Sequence, residues 1–361
     1  MKKNIFLVDD SALMRSVISD IINSDVRFNV KGVAKNGRDA VEELKKNHRM
    51  YDVVLMDINM PFLDGISALA ELKKLGISKK VIMISSLAKE GADETIKALE
   101  NGAFDFVTKP EGYSDIRSEK FKNKVINSVS MACGFTEVKS HSHSAVPERS
   151  VSNREIRKKN SGPGDIDKVV AIACSTGGPK SLKDVIPYIP AGIDAPILIV
   201  QHMPKGFTAP LAKRLDSASK IGIKEAEEGD RLVKGQAYLA PGGSHMKIVK
   251  NGSSYFITLT DEPPREGVKP CANYMYESIA GYPFENVICV VLTGMGADGT
   301  KGIKALRSVN KTHVIAQDEK SSVVYGMPRA VYEAGLTDEV QPLDKIAEAI
   351  TKNTGVHNNG R

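Results

Sequence analysis

Cysteine is scarce in this sequence: Cys133, Cys174, Cys271 and Cys289 are scattered over 361 positions without a CxxC pair. That spacing excludes a disulfide framework or a cysteine zinc site as the organising element. Long apolar runs are also missing. The first short run, in MKKNIFLVDDSALMR, is interrupted by Asp9 and Asp10 before a secretory signal core develops, and no later segment approaches membrane-spanning length. A cytoplasmic protein with no membrane insertion is expected. Charge of one sign is not in large excess, since 50 Lys and Arg face 44 Asp and Glu for a net of +6, so nucleic acid is not an expected partner.

What remains is a globular balance, 41% hydrophobic and 26% charged, in a chain whose length suits two domains. In the first 125 residues the runs NIFLVDD, FNVKGVA, VVLMD, VIMIS and FDFVT read as five strands. They are nearly continuous apolar stretches, as in a parallel sheet covered on both faces. Between the first two, Met14, Val17, Ile18, Ile21 and Ile22 follow a helical stripe that Ser11 can cap. A linker is expected over 126–166, because its larger part, from 136 on, is polar and nearly free of large apolar residues. Its His141 and His143 read as solvated side chains rather than metal ligands. A second α/β domain follows over 167–353, with strands at VVAIA, PILIV, VICVVL and HVIAQ and a hairpin turning at Asn251-Gly252. Residues 354–361 read as a frayed tail.

Acidic and polar residues recur at the strand ends of the first domain. Asp9 and Asp10 end the first strand, Asp57 the third and Ser85 the fourth, while Lys109 follows the fifth. In a doubly wound sheet these ends converge on the ligand-binding edge. Three carboxylates gathered there call for a hard divalent cation, and Mg2+ suits their oxygens. Asp57 is then placed to accept a phosphoryl group, with Lys109 neutralising its oxygens. These residues, together with DINMPFLDG around Asp57, Phe106, and Thr108-Lys109-Pro110, resemble the receiver domain of bacterial response regulators over about residues 3 to 122. The resemblance implies a flavodoxin-like fold, Asp57 as phosphoacceptor, Asp9, Asp10 and Asp57 as metal ligands, Ser85 and Phe106 as switch positions, and a histidine kinase as phosphodonor.

The second domain carries three more residues after strands: Ser175 after VVAIA, His202 after PILIV and Asp298 after VICVVL. A serine hydroxyl becomes nucleophilic when an imidazole, oriented by a carboxylate, removes its proton. Glycines beside Ser175 and Met295 leave room for main-chain N–H groups near a developing oxyanion. On the residues alone, His245 competes with His202 as base and Cys174 with Ser175 as nucleophile. GMGADGTK from Gly294 is not a phosphate-binding loop, because Thr300-Lys301 stand in the reverse order.

The segments STGGP, QHMP, APGGSHM, TGMGADG and AQDEKSSVVYGMPRAV closely resemble the chemotaxis protein-glutamate methylesterase and glutamine deamidase family over about 168 to 350. This implies a Rossmann-like hydrolytic domain with Ser175 as nucleophile, His202 as base, Asp298 as its orienting acid, the Met295 N–H in the oxyanion hole and Thr176 in support. It also implies methylated chemoreceptors as substrates, no cofactor for hydrolysis, and a receiver that covers the cleft until phosphorylated. The family usually has glycine at Ala173 and a small residue other than cysteine at Cys174, so a slight shift of that loop is expected. A DNA-binding output is disfavoured, because no helix-turn-helix can be placed after the linker. A non-catalytic binding module would leave Ser175, His202 and Asp298 without a purpose.

Overall fold

The computed structural model describes residues 2–86, 89–110, 112, 115–135 and 166–356; His141, His143, most of the expected linker and the last five residues lie outside them. The first part runs β1 (Lys3–Val8), α1 (Ala12–Asn23), β2 (Phe28–Ala34), α2 (Gly37–Asn47), β3 (Val53–Asp57), α3 (Gly65–Lys74), β4 (Lys80–Ser85), α4 (Lys89–Glu100), β5 (Asp105–Thr108) and α5 (Glu119–Ala132). Its five strands pair in parallel in the order β2-β1-β3-β4-β5, the doubly wound arrangement. Every residue of β3 is buried, which explains why its sequence does not alternate. In α1 the apolar stripe from Met14 to Ile22 faces the core, and Ser11 caps the helix by accepting the Met14 N–H at 3.3 Å. The division expected at 125 falls inside α5, which continues to Ala132 because Val125, Val129 and Ala132 are part of the buried core.

The second part contains β6 (Lys168–Cys174), α6 (Gly178–Val185), β7 (Ile197–Gln201), α7 (Thr208–Ala218), β8 (Gly222–Glu225), β9 (Gln236–Leu239), β10 (His245–Asn251) and β11 (Ser254–Thr260). It continues through α8 (Ala272–Ile279), β12 (Asn286–Val291), α9 (Thr300–Arg307), β13 (Thr312–Gln317), α10 (Met327–Glu333), β14 (Glu339–Gln341) and α11 (Ile346–Thr354). Seven of the strands form one sheet, ordered β14-β13-β12-β6-β7-β9-β8. The chain winds outward from β6 to β7, then returns to the other side of β6 as β12. That reversal opens a crevice at the carboxyl ends of β6 and β12, where such sheets bind ligands.

Two details differ from the sequence expectation. The β10–β11 hairpin turns at Gly252-Ser253, since Asn251 still pairs with Ser254; only Gly252 takes positive φ, +59°, as a turn with glycine at its first central position requires. The tail is also held further than expected: α11 reaches Thr354, and Val356 bridges to Ile193.

The two sheets meet through α4, which packs on α6 and α7. Ile96 and Leu99 of α4 share one apolar cluster with Leu182 and Leu211 of the second domain. At the end of α4, Glu100 accepts Arg214 Nε at 3.1 Å, and its other oxygen takes the guanidinium's second branch, with Lys183 Nζ at 3.6 Å. Phe106 stacks on Phe207 with ring centroids 4.9 Å apart.

The close crossing of α8 and α9 positions the loop before α9. A Cβ on Gly302 would lie 2.8 Å from the Asn273 carbonyl oxygen and 2.9 Å from its Cα. Gly302→Ala is therefore expected to push these helices apart at a cost of about 1–3 kcal/mol. Urea unfolding would show a lowered midpoint for the C-terminal domain, and an unchanged midpoint would contradict the tight crossing.

Candidate functional site

Two groups of polar residues collect at strand ends, one on each sheet. On the first, Lys109 Nζ lies 3.0 Å from Asp9 Oδ2 and 2.8 Å from Asp57 Oδ2. Asp9, Asp10 and Asp57 each offer a carboxylate oxygen, all within 4.8 Å of one another. Burial raises the Asp57 carboxyl to about 6, with Lys109 pulling it down and Asp9 and Asp10 pushing it up. A set of hard oxygen donors repelling one another at this spacing fits a magnesium ion. Ser85 is engaged with α4: its hydroxyl accepts from Thr95 Oγ1 at 2.6 Å and donates to the Gly91 carbonyl at 3.2 Å. Phe106 is engaged with the second domain, as described above.

On the second sheet, His202 and Asp298 are brought together from β7 and β12. His202 Nε2 lies 2.8 Å from Asp298 Oδ2. Asp298 also accepts the main-chain N–H groups of Ala272 at 2.6 Å, Asn273 at 2.9 Å and Gly299 at 2.9 Å, and the Cys271 thiol at 3.0 Å. The carboxylate thus sits against the first turn of α8, where unpaired N–H groups and the helix dipole favour negative charge. Burial alone would raise its pKa, but the His202, Cys271 and main-chain contacts outweigh that and hold it at about 2. Asp298 therefore stays ionised and favours a proton on His202 Nε2, leaving Nδ1 as the free lone pair.

Ser175 directly follows β6. Its N–H donates to the Thr293 carbonyl at 3.0 Å, and its carbonyl accepts the Gly178 N–H at 2.8 Å, so its turn is anchored to β12 and α6. Among the described residues its hydroxyl makes no hydrogen bond to His202. Thr176 lines the adjacent cleft and places Oγ1 3.9 Å from Met131 Sδ of α5. Met295 is exposed on the loop after β12, and among the described residues neither its N–H nor that of Thr176 is paired with a protein acceptor.

Both rivals are buried. His245 is fully buried, with Nε2 3.3 Å from the Pro263 carbonyl and its ring edge-on to Tyr274. Burial pushes the Cys174 thiol far above the range in which a thiolate forms near neutral pH. Residues that the sequence reading missed complete the site: Gln201 beside Ser175, and Cys271, Ala272 and Asn273 around Asp298. Pro270 before α8 is a helix-start signal, but nothing in the local sequence connects that helix to a carboxylate 25 residues further on.

The cleft beside His202 has a volume of about 410 Å³ and is shared between domains. Thr176, His202 and Lys269 line one side, and Asp105, Phe106 and Lys124 of the receiver-like part line the other. Burial raises the Asp105 carboxyl to about 6 despite hydrogen bonds from the Phe106 N–H, Ser128 and Thr176.

Comparison with known proteins agrees with this two-part organisation. Residues 170–350 match the CheB methylesterase family model, and residues 5–119 match the response regulator receiver domain. A protein-glutamate methylesterase/protein-glutamine glutaminase 1 of Syntrophomonas wolfei is 40% identical over 97% of this chain and 98% of its own length. One from Bacillus subtilis, named protein-glutamate methylesterase/protein-glutamine glutaminase, is 38% identical over 96% of this chain and 97% of its own. The crystal structure of the Thermotoga maritima CheB methylesterase catalytic domain is matched over its full length and 53% of this chain, at 40% identity and a TM-score of 0.50. The chain belongs to the CheB methylesterase family, in the form that also carries a response regulator receiver domain.

Proposed function

We propose that this protein is a phosphorylation-activated serine hydrolase that cleaves γ-glutamyl methyl esters and deamidates glutamines on chemoreceptors, resetting chemotactic sensitivity. The observation that carries this reading is the 2.8 Å His202–Asp298 contact beside the Ser175 turn. Ser175 Oγ attacks the side-chain carbonyl while His202 Nδ1 takes its proton. The N–H groups of Met295 and Thr176 receive the negative charge that develops on the carbonyl oxygen. Protonated His202 then donates to the leaving group, methanol from an ester or ammonia from an amide. Water attacks the acyl-enzyme with His202 again as base, releasing glutamate and restoring Ser175. Hydrolysis uses no cofactor.

Control resides in the receiver, with Asp57 accepting phosphoryl from a histidine kinase and the whole cycle running in the cytoplasm. Magnesium held by Asp9, Asp10 and Asp57 would neutralise charge at the reacting phosphoryl group, and Lys109 would hold its oxygens. The switch positions are also the docking parts. Ser85 bonds to α4, α4 packs on α6 and α7, and Phe106 stacks on Phe207. Drawing Ser85 toward a phosphoryl group would release its bonds to α4 and shift the population toward an open cleft.

Ser175→Ala removes ester and amide hydrolysis without unfolding the protein, whereas Cys174→Ala keeps substantial activity; methanol release distinguishes them, and the reverse pattern would move the nucleophile to the thiol. His202→Gln removes most activity and His245→Gln costs less; equal losses would leave the base unassigned. Asp57→Asn keeps the basal rate and loses the response to a small phosphodonor, and a fragment starting near Ser161 exceeds the unphosphorylated full-length protein. Burial raises the Asp105 carboxyl to about 6 from its ordinary 3.8, so folding around this side chain binds a proton. This group therefore favours the folded protein increasingly as pH falls from above 6 toward 4, read as melting temperature against pH. Asp105→Asn should flatten that dependence, and an unaltered slope would place the titrating group elsewhere.

A further inference from the structure

Gln201 ends β7, pairs with Cys174 across the β6–β7 register, and is 2% exposed. Its Nε2 donates to the Ser175 carbonyl at 2.9 Å and to the His202 carbonyl at 3.1 Å, while its Oε1 accepts the Cys174 thiol at 3.0 Å. The chemistry of the partners fixes the amide's direction: two carbonyls only accept and a thiol donates, so the NH2 group must face the carbonyls. Room for the carboxamide comes from Gly178, where a Cβ would fall 1.9 Å from Gln201 Oε1.

We infer that Gln201 is a positioning residue for the hydrolysis, a buried strap that fixes the main chain carrying both Ser175 and His202. The inference rests on the functional reading given above. A trans peptide unit is planar, with its C=O and N–H pointing in opposite directions. Holding the Ser175 carbonyl from Gln201 and Gly178 therefore aims the Thr176 N–H the other way. The second Nε2 hydrogen pins the His202 carbonyl, and so the backbone from which the imidazole projects. The His202 N–H, bonded to the Cys174 carbonyl at 3.0 Å, closes the same unit from the other side. Cys174 is accordingly a donor to the strap, and a serine there supplies the same donor.

The strap acts on transition-state geometry, so its loss should appear in kcat. Full-length protein with a small phosphodonor and magnesium would be assayed for methanol release from methyl-esterified receptor, with melting temperature measured alongside. Gln201→Met keeps the volume but loses both donated bonds. It is expected to lower kcat about 10- to 100-fold, with KM close to wild type and a melting temperature still well above the assay temperature. Gly178→Ala displaces the carboxamide while residue 201 stays glutamine and should show the same kcat loss, which keeps the test open if a Gln201 variant does not fold. Cys174→Ser should retain near-wild-type kcat. Wild-type kcat in Gln201→Met and Gly178→Ala, or a raised KM with kcat unchanged, would overturn the inference. If Ser175→Ala were as active as wild type, the functional reading itself would fail, whatever the Gln201 variants do.

Discussion

The second domain depends on the burial of one negative charge. Asp298 is 3% exposed, and an isolated carboxylate there would be neutralised or would destabilise the fold. Three main-chain N–H groups, a thiol and His202 hold it ionised instead, so the first turn of α8, the loop before α9 and the end of β7 are tied to one atom group. The pairing also decides the chemistry of His202. With Nε2 committed to Asp298, Nδ1 is the nitrogen left free, the one that would take the Ser175 proton in the proposed reaction. Because Asp298 is depressed to about 2, its contribution to stability is present above its ordinary value of 3.8 and is lost as pH falls through 2.

The receiver uses one surface for two purposes. The residues that would respond to phosphorylation, Ser85 and Phe106, make contacts that end on the catalytic domain: the first through α4, the second directly on Phe207. The apolar cluster under α4 and the Glu100–Arg214 pair then give the closed arrangement both area and register. Coupling of this kind needs no long pathway, since the switch and the docking face are separated by one helix. The cleft between the domains is lined by Asp105, whose carboxyl burial raises to about 6.

Much of this was legible in the sequence because strand-end residues are fixed by topology. Once VVLMD and VIMIS are buried parallel strands, Asp57 and Ser85 must emerge at the same edge. The same holds for Ser175, His202 and Asp298. Peripheral strands were not legible: β8 (GIKE) and β14 (EVQ) each carry a single large apolar residue, too few for a hydrophobic period to register. The hairpin turn was displaced by one residue because Asn251 and Gly252 both suit a turn, and strand pairing chose between Asn251-Gly252 and Gly252-Ser253. Least legible were the partners of Asp298 and the Gln201 strap, whose contacts are main-chain or cross-strand and leave no periodic pattern. His245 shows the converse, a histidine in a glycine-rich motif that competes in the sequence and proves to be buried against Tyr274.

The central claim is that Ser175 is a nucleophile whose access the receiver controls. It is tested most directly by reacting the full-length protein with a fluorophosphonate and locating the adduct by peptide mass spectrometry, with and without phosphodonor and magnesium. The account predicts a single adduct on Ser175 that forms faster when Asp57 is phosphorylated. Labelling at Cys174 or elsewhere, or labelling of Ser175 at a rate indifferent to phosphorylation, would contradict it.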